Sequence, residues 1–368
     1  MLRAQYIMIG GFLGAGKTTA ILAIAKRLAA RGLRVGLISN DQSVGLVDTA
    51  MFGANELPTE EISGGCFCCR FDSLVQAAER LTDQAAPEVF LAEPVGSCTD
   101  LQATVGFPLR RLYGEQYSVA PLSALVDPIR AQYLLGLREG KQFSAKVSYI
   151  YGKQLEEAEL IVINKCDLLE ESELDQLESA LRSNYPKAEV LRISARHGDG
   201  IEQWMERIEQ EQPAPGSVMD VDYQLYAEGE ALLGWVNLSG RLTAEEFDGN
   251  RFLQTALETV VQRLQELDIE VAHLKATLAP SEGIDLAVGN VVRGGAAVEL
   301  SHELSDPLDG GDLLINLRAE GDPDVLRNIA EEGVQQAARQ FGAEVAMGHV
   351  EAFRPAPPEP THRVTSVS

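Results

Sequence analysis

Residues 11–18 read GFLGAGKT and match the phosphate-binding pattern G-x-x-x-x-G-K-[ST]. The apolar run 6–9 precedes them, and a helical pattern rich in Ala, Leu and Ile follows over 18–30. This order predicts a nucleotide site, because the loop N–H groups and the N-terminal end of the helix attract phosphate oxygens. In this pattern Lys17 reaches the β- and γ-phosphates, and the Thr18 hydroxyl binds Mg²⁺. The loop residues expected to hold the nucleotide are Gly11, Gly14, Ala15, Gly16, Lys17, Thr18 and Thr19.

Further apolar runs alternate with helical patterns along the first half of the chain. Strands that alternate with helices are typical of parallel β-α-β units, and a strand buried on both faces of its sheet reads as a continuous apolar run. We therefore predict an α/β P-loop NTPase domain over residues 1–212, with a parallel sheet covered by helices. Its other predicted strands are 33–38, 89–92, 124–126, 160–163 and 190–193.

The tetrapeptide NKCD, which ends at Asp167, follows an apolar run and matches the guanine-reading pattern N-K-x-D. The Asp167 carboxylate accepts two hydrogen bonds from guanine N1 and N2, whereas adenine would leave that carboxylate unpaired. Asn164 either binds the base edge or braces the phosphate loop, and the Lys165 stem packs on the purine. Ser194 and Ala195, in SARHGDGI, resemble the loop whose backbone N–H meets guanine O6. Together these motifs favour GTP over ATP.

A cluster of cysteines lies in the loop GGCFCCR, at Cys66, Cys68 and Cys69, directly before a helical pattern. Clustered thiols of this kind favour metal or redox chemistry over a disulfide framework, and thiolates are soft ligands for Zn²⁺, Cu⁺ or Co²⁺. Arg70 and the helix N-terminus are expected to lower the thiol pKa values. A packed apolar loop and a redox pair are the alternatives.

A tetrahedral ion held by three thiolates has a fourth position to fill. Asp41, Glu61, a water molecule or a ligand from a partner are the candidates for it, and Zn²⁺ or Co²⁺ is the predicted ion. The other two cysteines, Cys98 and Cys166, are interpreted as small buried residues.

A stretch with two prolines and a glycine, EQPAPGSVMD, interrupts the pattern of the chain, and we place a linker at 213–222. Alternating strand patterns and two amphipathic helical patterns follow over 223–353. They predict a smaller α+β domain of the ferredoxin-like kind, with both helices on one face of an antiparallel sheet. The proline-rich residues 354–368 are predicted to be a disordered tail.

The chain has 368 residues and a net charge of −24. Residues 213–368 carry 10 Lys and Arg against 26 Asp and Glu, which favours an acidic, client-facing second domain. The charge argues against nucleic-acid binding and against docking on an anionic membrane. No apolar run approaches the ~18 residues of a membrane helix, and the N-terminus is a poor signal peptide. We therefore expect a cytoplasmic protein.

These motifs together resemble the CobW/HypB/UreG family of P-loop GTPases, and within it the CobW-like branch. The resemblance covers roughly residues 4–210 and implies that Glu93 senses Mg²⁺ and the γ-phosphate, acting in catalysis with Lys17 and Thr18. The motifs that carry it are GGFLGAGKTT, GGCFCC, AEPVGSCTD, VD at 126–127, NKCD and SARHGDGI.

One loop departs from the family pattern. Where CobW-like proteins carry N-E-F-G-E, residues 40–44 read NDQSV. Asp41 keeps one carboxylate there, and the second acidic position is absent. The usual composition of the family's metal site is therefore in doubt for this chain.

The resemblance implies a GTP-hydrolysing switch that binds a transition metal at the C-x-C-C loop and delivers metal or a metallo-cofactor to a client metalloprotein. No glutamine matches a water-positioning residue, so slow intrinsic hydrolysis is expected. The alternative is a GTP-dependent regulatory chaperone for a client such as a cobalamin enzyme, with structural cysteines. NKCD disfavours an ATP-dependent kinase, and a homodimer is left open.

Overall fold

The computed structural model describes residues 3–40, 57–210, 218–283, 285–294 and 296–365. Contacts divide the described residues into two compact units, the first made of 3–40, 57–229 and 357–365 and the second of 230–356. Residues 218–229, which the sequence placed in the linker and the second domain, thus belong to the first unit. Val221 and Tyr226 are buried there against Ile150. Asp41 lies outside the described residues.

The first unit contains, among the described residues, an eight-stranded sheet in which every pairing is parallel. The strand order is β3-β2-β4-β1-β6-β7-β8, and β5 also pairs with β1. The carboxyl end of β1 therefore lies between β4 and β6, where the direction of strand succession changes and parallel sheets form their ligand crevice. The strands are β1 Ala4–Gly11, β2 Val35–Asn40, β3 Thr59–Ile62, β4 Val89–Glu93, β5 Tyr117–Val119, β6 Ser123–Val126, β7 Leu160–Ile163 and β8 Glu189–Arg192.

Helices follow most of these strands, and their apolar faces are buried against the sheet, as the α/β prediction required. Local signals explain several starts: Asp127 caps one helix and is followed by a proline, and Ser144 caps the next. The helices are α1 Lys17–Ala30, α2 Phe71–Ala85, α3 Phe107–Tyr113, α4 Pro128–Leu134, α5 Ala145–Glu157, α6 Glu171–Asn184, α7 Ile201–Glu209 and α8 Tyr223–Glu230.

The second unit is a six-stranded antiparallel sheet with two helices, in the order β12-β11-β10-β13-β9-β14. Without β11 and β12, which extend one side of the sheet beyond β10, the chain runs β-α-β-β-α-β, which is the ferredoxin-like arrangement. The prediction of a separate antiparallel α+β domain is therefore confirmed. Its elements are β9 Leu233–Phe247, α9 Gly249–Glu266, β10 Glu270–Pro280, β11 Ala287–Val291, β12 Glu299–His302, β13 Leu308–Glu320, α10 Pro323–Phe341 and β14 Glu344–Phe353.

One glycine explains how closely the two helices of this unit pack. A Cβ at Gly333 on α10 would lie 2.6 Å from Val260 Cγ2 on α9, so a side chain there would push the helices apart. Phe252, Leu257 and Leu264 of α9 are fully buried in the same core. No helix within the described ranges combines the length and apolarity that crossing a membrane requires.

The C-terminal segment, which we define as residues 357–365, returns to the first unit. Its backbone is tied by hydrogen bonds, from Thr361 N to Cys68 O at 2.8 Å and from Val364 N to Ala103 O at 2.9 Å. Arg363 Nε also donates to Asp100 Oδ2 at 2.7 Å. The structure thus differs here from the disordered tail expected from composition, because these peptide groups find specific acceptors.

Candidate nucleotide and metal site

The phosphate loop joins β1 to α1 and depends on three glycines with positive φ, at +126° for Gly11, +80° for Gly14 and +86° for Gly16. A Cβ at Gly11 would lie 2.3 Å from Leu125 O, and one at Gly16 would lie 2.5 Å from Asn164 Nδ2. Side chains are therefore excluded on both steric and conformational grounds. No side chain caps the start of α1, which leaves its first N–H groups available to a phosphate.

Lys17, Thr18 and Glu93 come together below this loop. Thr18 Oγ1 donates to Glu93 Oε1 at 3.1 Å, and Lys17 Nζ lies 3.9 Å from the same oxygen. All three side chains are buried. A hydroxyl and a carboxylate held this close fit Mg²⁺, which takes one or two protein oxygens and keeps several waters.

Asn164 connects three loops at this edge of the sheet. Its Nδ2 donates to Ala15 O at 2.8 Å in the phosphate loop, and its Oδ1 accepts from Ala195 N at 3.0 Å and from Lys165 N at 2.8 Å. The side chain therefore braces the phosphate loop against the loops after β7 and β8. The Ala195 N–H, which the motif assigns to guanine O6, is directed to Asn164 in this structure.

The half-buried Lys165 and the buried Asp127 form an ion pair beside the loop. Lys165 Nζ donates to Gly14 O at 2.8 Å and to Asp127 Oδ2 at 3.0 Å. Burial alone would raise the pKa of Asp127, but the charges of Lys165 and Arg130 outweigh it and hold that pKa below its usual value. Asp127 is therefore ionised, and it fixes the lysine stem where a purine is expected.

Arg130 is a contact to the phosphate loop that sequence reasoning missed. Its Nη1 donates to Leu13 O at 2.7 Å, and its guanidinium lies over the rings of Phe12 and Phe143, 5.6 and 5.0 Å from their centroids. The sequence signal that could have found it was its place three residues after the VD motif at 126–127.

Asp167, the predicted guanine reader, lies on a short 3₁₀ turn after β7, Cys166–Leu168. Its side chain is 32% exposed, and His197 Nε2 lies 3.8 Å from its Oδ2. Ser194 is fully buried, and its Oγ accepts from His197 N at 3.3 Å. An accessible carboxylate beside a fixed loop is the arrangement that reading the guanine edge requires.

The three clustered cysteines follow β3 and form a tight turn closed by hydrogen bonds from Cys69 N and Arg70 N to Cys66 O. The Sγ–Sγ distances are 2.7 Å from Cys66 to Cys68, 3.1 Å from Cys66 to Cys69 and 3.7 Å from Cys68 to Cys69. Among the described residues these three form one potential metal-binding group, and Glu61 is not a member of it.

Hydrogen bonding among the sulfurs shifts the pKa of Cys66 in one direction and those of Cys68 and Cys69 in the other. Hydrogen bonding with the neighbouring thiols, first of all Cys68, holds the pKa of Cys66 well below its usual value, whereas hydrogen bonding with Cys66 raises the pKa of Cys68 and raises that of Cys69 to about 11. Cys66 is therefore the sulfur of the three that ionises most readily, and a metal ion would displace the protons of the others.

Two expectations about the cysteines and their neighbours differ from the structure. Arg70 donates from Nε and Nη2 to Gly64 O, at 3.1 and 3.0 Å, so it braces the loop backbone rather than a sulfur. Cys98 is buried, as the sequence analysis expected, whereas Cys166 is only half-buried.

One segment, residues 93–98, joins the nucleotide site to the cysteine cluster. It begins at Glu93, beside Thr18 and Lys17, and ends at Cys98. A Cβ at Gly96 would lie 2.7 Å from Leu13 Cδ2, so the segment packs directly on the phosphate loop. Glu93 and Cys98 are thus the two ends of one short segment that packs on the phosphate loop.

This fold and site define a P-loop nucleotide-binding protein with a cysteine cluster beside its phosphate site. The sequence model of the family described as CobW/HypB/UreG, nucleotide-binding domain, matches residues 5–192, and the chain belongs to this family. The resemblance read from the motifs is therefore confirmed.

Similar proteins include metal-handling GTPases. The chain is 26% identical over 214 residues to "Zinc-regulated GTPase metalloprotein activator 1" of Dictyostelium discoideum, covering 50% of this chain and 44% of that protein. It is 30% identical over 202 residues to "Hydrogenase maturation factor HypB" of Azotobacter vinelandii, covering 54% and 57%. The chain thus spans about half the length of the curated relatives it matches. The structure of HypB from Helicobacter pylori in complex with nickel has a TM-score of 0.43 at 16% identity, covering 58% of this chain and 91% of that one.

Proposed function

We propose that this protein is a GTP-hydrolysing metallochaperone, in which nucleotide state controls a transition metal held at the cysteine cluster. The observation that supports this most directly is the 93–98 segment, which carries a nucleotide-site carboxylate at one end and a cysteine at the other. The names of the relatives, a zinc-regulated activator and a hydrogenase maturation factor, agree with it.

In the proposed reaction a water molecule attacks the γ-phosphorus of GTP, and the bond to the β–γ bridging oxygen breaks to leave GDP and phosphate. The Lys17 ammonium and the N–H groups of the loop offset the charge that develops on the leaving oxygens. Mg²⁺, when bound, neutralises further phosphate charge. Asp167 and Lys165 select guanine, and intrinsic turnover is slow because no glutamine in the sequence motifs matches a water-positioning residue.

The cargo of the proposed cycle is Zn²⁺ or Co²⁺, since buried thiolates prefer soft and borderline ions. The client is a metalloprotein that docks on the strongly acidic second half of the chain, so its docking surface is neutral or basic. We place this cycle in the cytoplasm, where GTP is present and thiols stay reduced.

The proposed coupling is tested by measuring Zn²⁺ affinity with a non-hydrolysable GTP analogue, with GDP and without nucleotide. We expect the affinities to differ at least about fivefold, the usual lower bound of allosteric coupling. Equal affinities in the three states would refute the coupling. Replacing Cys66, Cys68 and Cys69 by Ser tests the alternative, because a regulatory chaperone with structural cysteines would still activate its client without bound metal.

A further inference from the structure

The C-terminal segment lies across the turn that carries the clustered cysteines. Glu359 N donates to Cys69 Sγ at 3.2 Å. Thr361 donates from N to Cys68 O at 2.8 Å and from Oγ1 to Cys69 O at 3.1 Å. One residue of the segment therefore contacts a candidate metal ligand directly, and a second residue holds the backbone of two of the cysteines.

The sequence of the C-terminal segment suits a stiff cover. Residues 357–361 read PPEPT, and each proline fixes its φ at about −65° and has no N–H to donate. Glu359 and Thr361, which are not prolines, supply the two N–H groups that bind the cysteine turn. Because the prolines restrict the backbone before it is ordered, placing this stretch costs less conformational entropy than placing a flexible tail.

The segment continues from the cysteine turn to the loop that follows the 93–98 segment. The His362 ring packs edge-on against Phe71, the first residue of α2, with centroids 4.9 Å apart. Val364 N then donates to Ala103 O at 2.9 Å, in the turn Gln102–Gly106. The segment is therefore attached on both sides of the sulfurs rather than at one point.

Arg363 fastens the far end of the segment to Asp100. Its Nε donates to Asp100 Oδ2 at 2.7 Å, and the carboxylate is 1% exposed whereas the arginine side chain is 29% exposed. The Arg363 guanidinium lies over the Tyr223 ring, 5.5 Å from its centroid, and Tyr223 Oη donates to the same Asp100 oxygen at 2.7 Å. A charge-assisted pair of this kind is a strong contact, and its arginine is the member that water reaches. We call Asp100, Tyr223 and Arg363 the latch.

The latch adjoins the places where the chain passes between its two units. Among the described residues, the chain enters the second unit after 229 and returns to the first at 357. Tyr223 begins α8, and the last residue of that helix, Glu230, is the first of the second unit. Arg363 follows shortly after the return. Movement of the second unit would therefore act on both hydrogen-bond donors to the Asp100 carboxylate.

We propose that the C-terminal segment is a removable strap over the cysteine turn, fastened by the pairing of Arg363 with Asp100, and that it controls how fast metal leaves the cysteines. The inference rests on the proposed metal binding and adds a control of its rate. The segment supplies no metal ligand in this inference. It shields the sulfurs while the latch is closed and exposes them when the latch opens.

Removal of Zn²⁺ from the full-length protein by a chelator tests this control. Arg363→Ala should release the ion at least about tenfold faster than the unmodified protein, the factor that corresponds to loss of a hydrogen bond between charged groups. Arg363→Lys keeps a cation beside Asp100, so its rate should lie between the two. Arg251→Ala, at an exposed arginine of the second unit, is the matched control and should release Zn²⁺ at the rate of the unmodified protein.

Hydrogen exchange at the Thr361 and Val364 amides of the metal-free protein shows whether the substitution opens the strap. Both amides donate to carbonyls of the first unit, so Arg363→Ala should lower their protection about tenfold. The amide of Ile161, in the buried strand β7, should keep its protection, which shows that the variant is folded.

Loss of protection with an unchanged rate of Zn²⁺ release would overturn the proposal, and so would faster release with both amides still protected. If the protein binds Zn²⁺ but every variant releases it at one rate, the strap is refuted and the proposed function stands. A protein that binds no Zn²⁺ would refute the proposed function and this inference with it.

Discussion

The nucleotide site and the cysteine site lie in the same unit and are built in opposite ways. The phosphate loop is one continuous motif, and Asn164, Lys165 and Arg130 brace it through bonds to Ala15, Gly14 and Leu13. The cysteine site is assembled from separate parts of the chain, because Glu359 N of the C-terminal segment donates to Cys69 Sγ in the 66–69 turn. A site made by one motif is rigid by construction, whereas one made by several segments changes when any segment moves.

This difference teaches where a switch can act. Binding of a γ-phosphate at Thr18 and Glu93 has little freedom to alter the braced loop, but it can shift the 93–98 segment. That segment ends at Cys98, so in the proposed function it is the route by which nucleotide state reaches the cysteine cluster. The first prediction separates the two sites.

Lys17→Ala should produce the largest effect. Loss of a cation aimed at the transferred phosphoryl group is expected to lower kcat for GTP hydrolysis about 10²–10³-fold, while Zn²⁺ affinity without nucleotide stays unchanged. Phosphate release and Zn²⁺ titration measure the two properties, and Lys26→Ala, an exposed lysine on the same helix, is the control. Loss of Zn²⁺ binding in Lys17→Ala would mean that the two sites are not separable.

Asp167→Asn should change the base that the nucleotide site accepts. An amide cannot accept both guanine N–H bonds, so GTP affinity is expected to fall about 100-fold, as when buried polar partners are left unpaired. Xanthosine triphosphate, which carries an oxygen in place of the guanine amino group, should bind the variant better than GTP does. Competition titration measures both. An unchanged preference for GTP would remove Asp167 from base recognition.

The same contrast explains which parts were predictable from sequence. Residues 11–18 and NKCD could be recognised from sequence because each motif is one short, continuous stretch. The apolar runs located the buried strands. β3, with the sequence TEEI, was missed because it is a short edge strand with polar, half-buried residues at its first three positions, so it shows no apolar run. β5 was missed because three residues carry too little pattern.

The parts that sequence reasoning missed depend on contacts between distant residues. The residues that flank Cys98 in sequence do not indicate which distant residues its side chain contacts. The composition of the C-terminal segment is typical of disorder. Only the fold shows that the backbone N–H groups of Thr361 and Val364 donate hydrogen bonds to carbonyl oxygens of the first unit. The motif therefore predicted the cysteine site, but the sequence did not show that the C-terminal segment packs against it.

Glu157 should make the free energy of unfolding depend on pH, and it contacts the residues that follow the 93–98 segment. Its carboxyl accepts from Thr99 Oγ1 at 3.2 Å and Gln102 N at 3.0 Å, just beyond Cys98, and burial raises its pKa to about 8. The raised pKa means that the contribution of this group to stability is complete below the unfolded carboxyl pKa and is lost as pH rises toward about 8.

Urea unfolding at pH 5.5, 6.5 and 7.5 checks this dependence, with Glu157→Gln beside the unmodified protein. The free energy of unfolding of the unmodified protein should fall relative to the variant by up to about 1.4 kcal/mol per pH unit. Glu156→Gln, at the adjacent exposed position, should follow the unmodified protein. Parallel curves for Glu157→Gln and the unmodified protein would show that Glu157 is ionised in the fold.

Thr361→Val should produce the smallest effect and bears on the cover of the sulfur site. The substitution removes the Thr361 Oγ1 bond to Cys69 O and leaves the backbone bond to Cys68 O in place. A neutral hydrogen bond contributes about 1 kcal/mol, so a chelator should remove Zn²⁺ about fivefold faster. Thr365→Val, an exposed position on the same segment, is the matched control. Equal rates in both variants would mean that metal leaves by a route that the C-terminal segment does not cover.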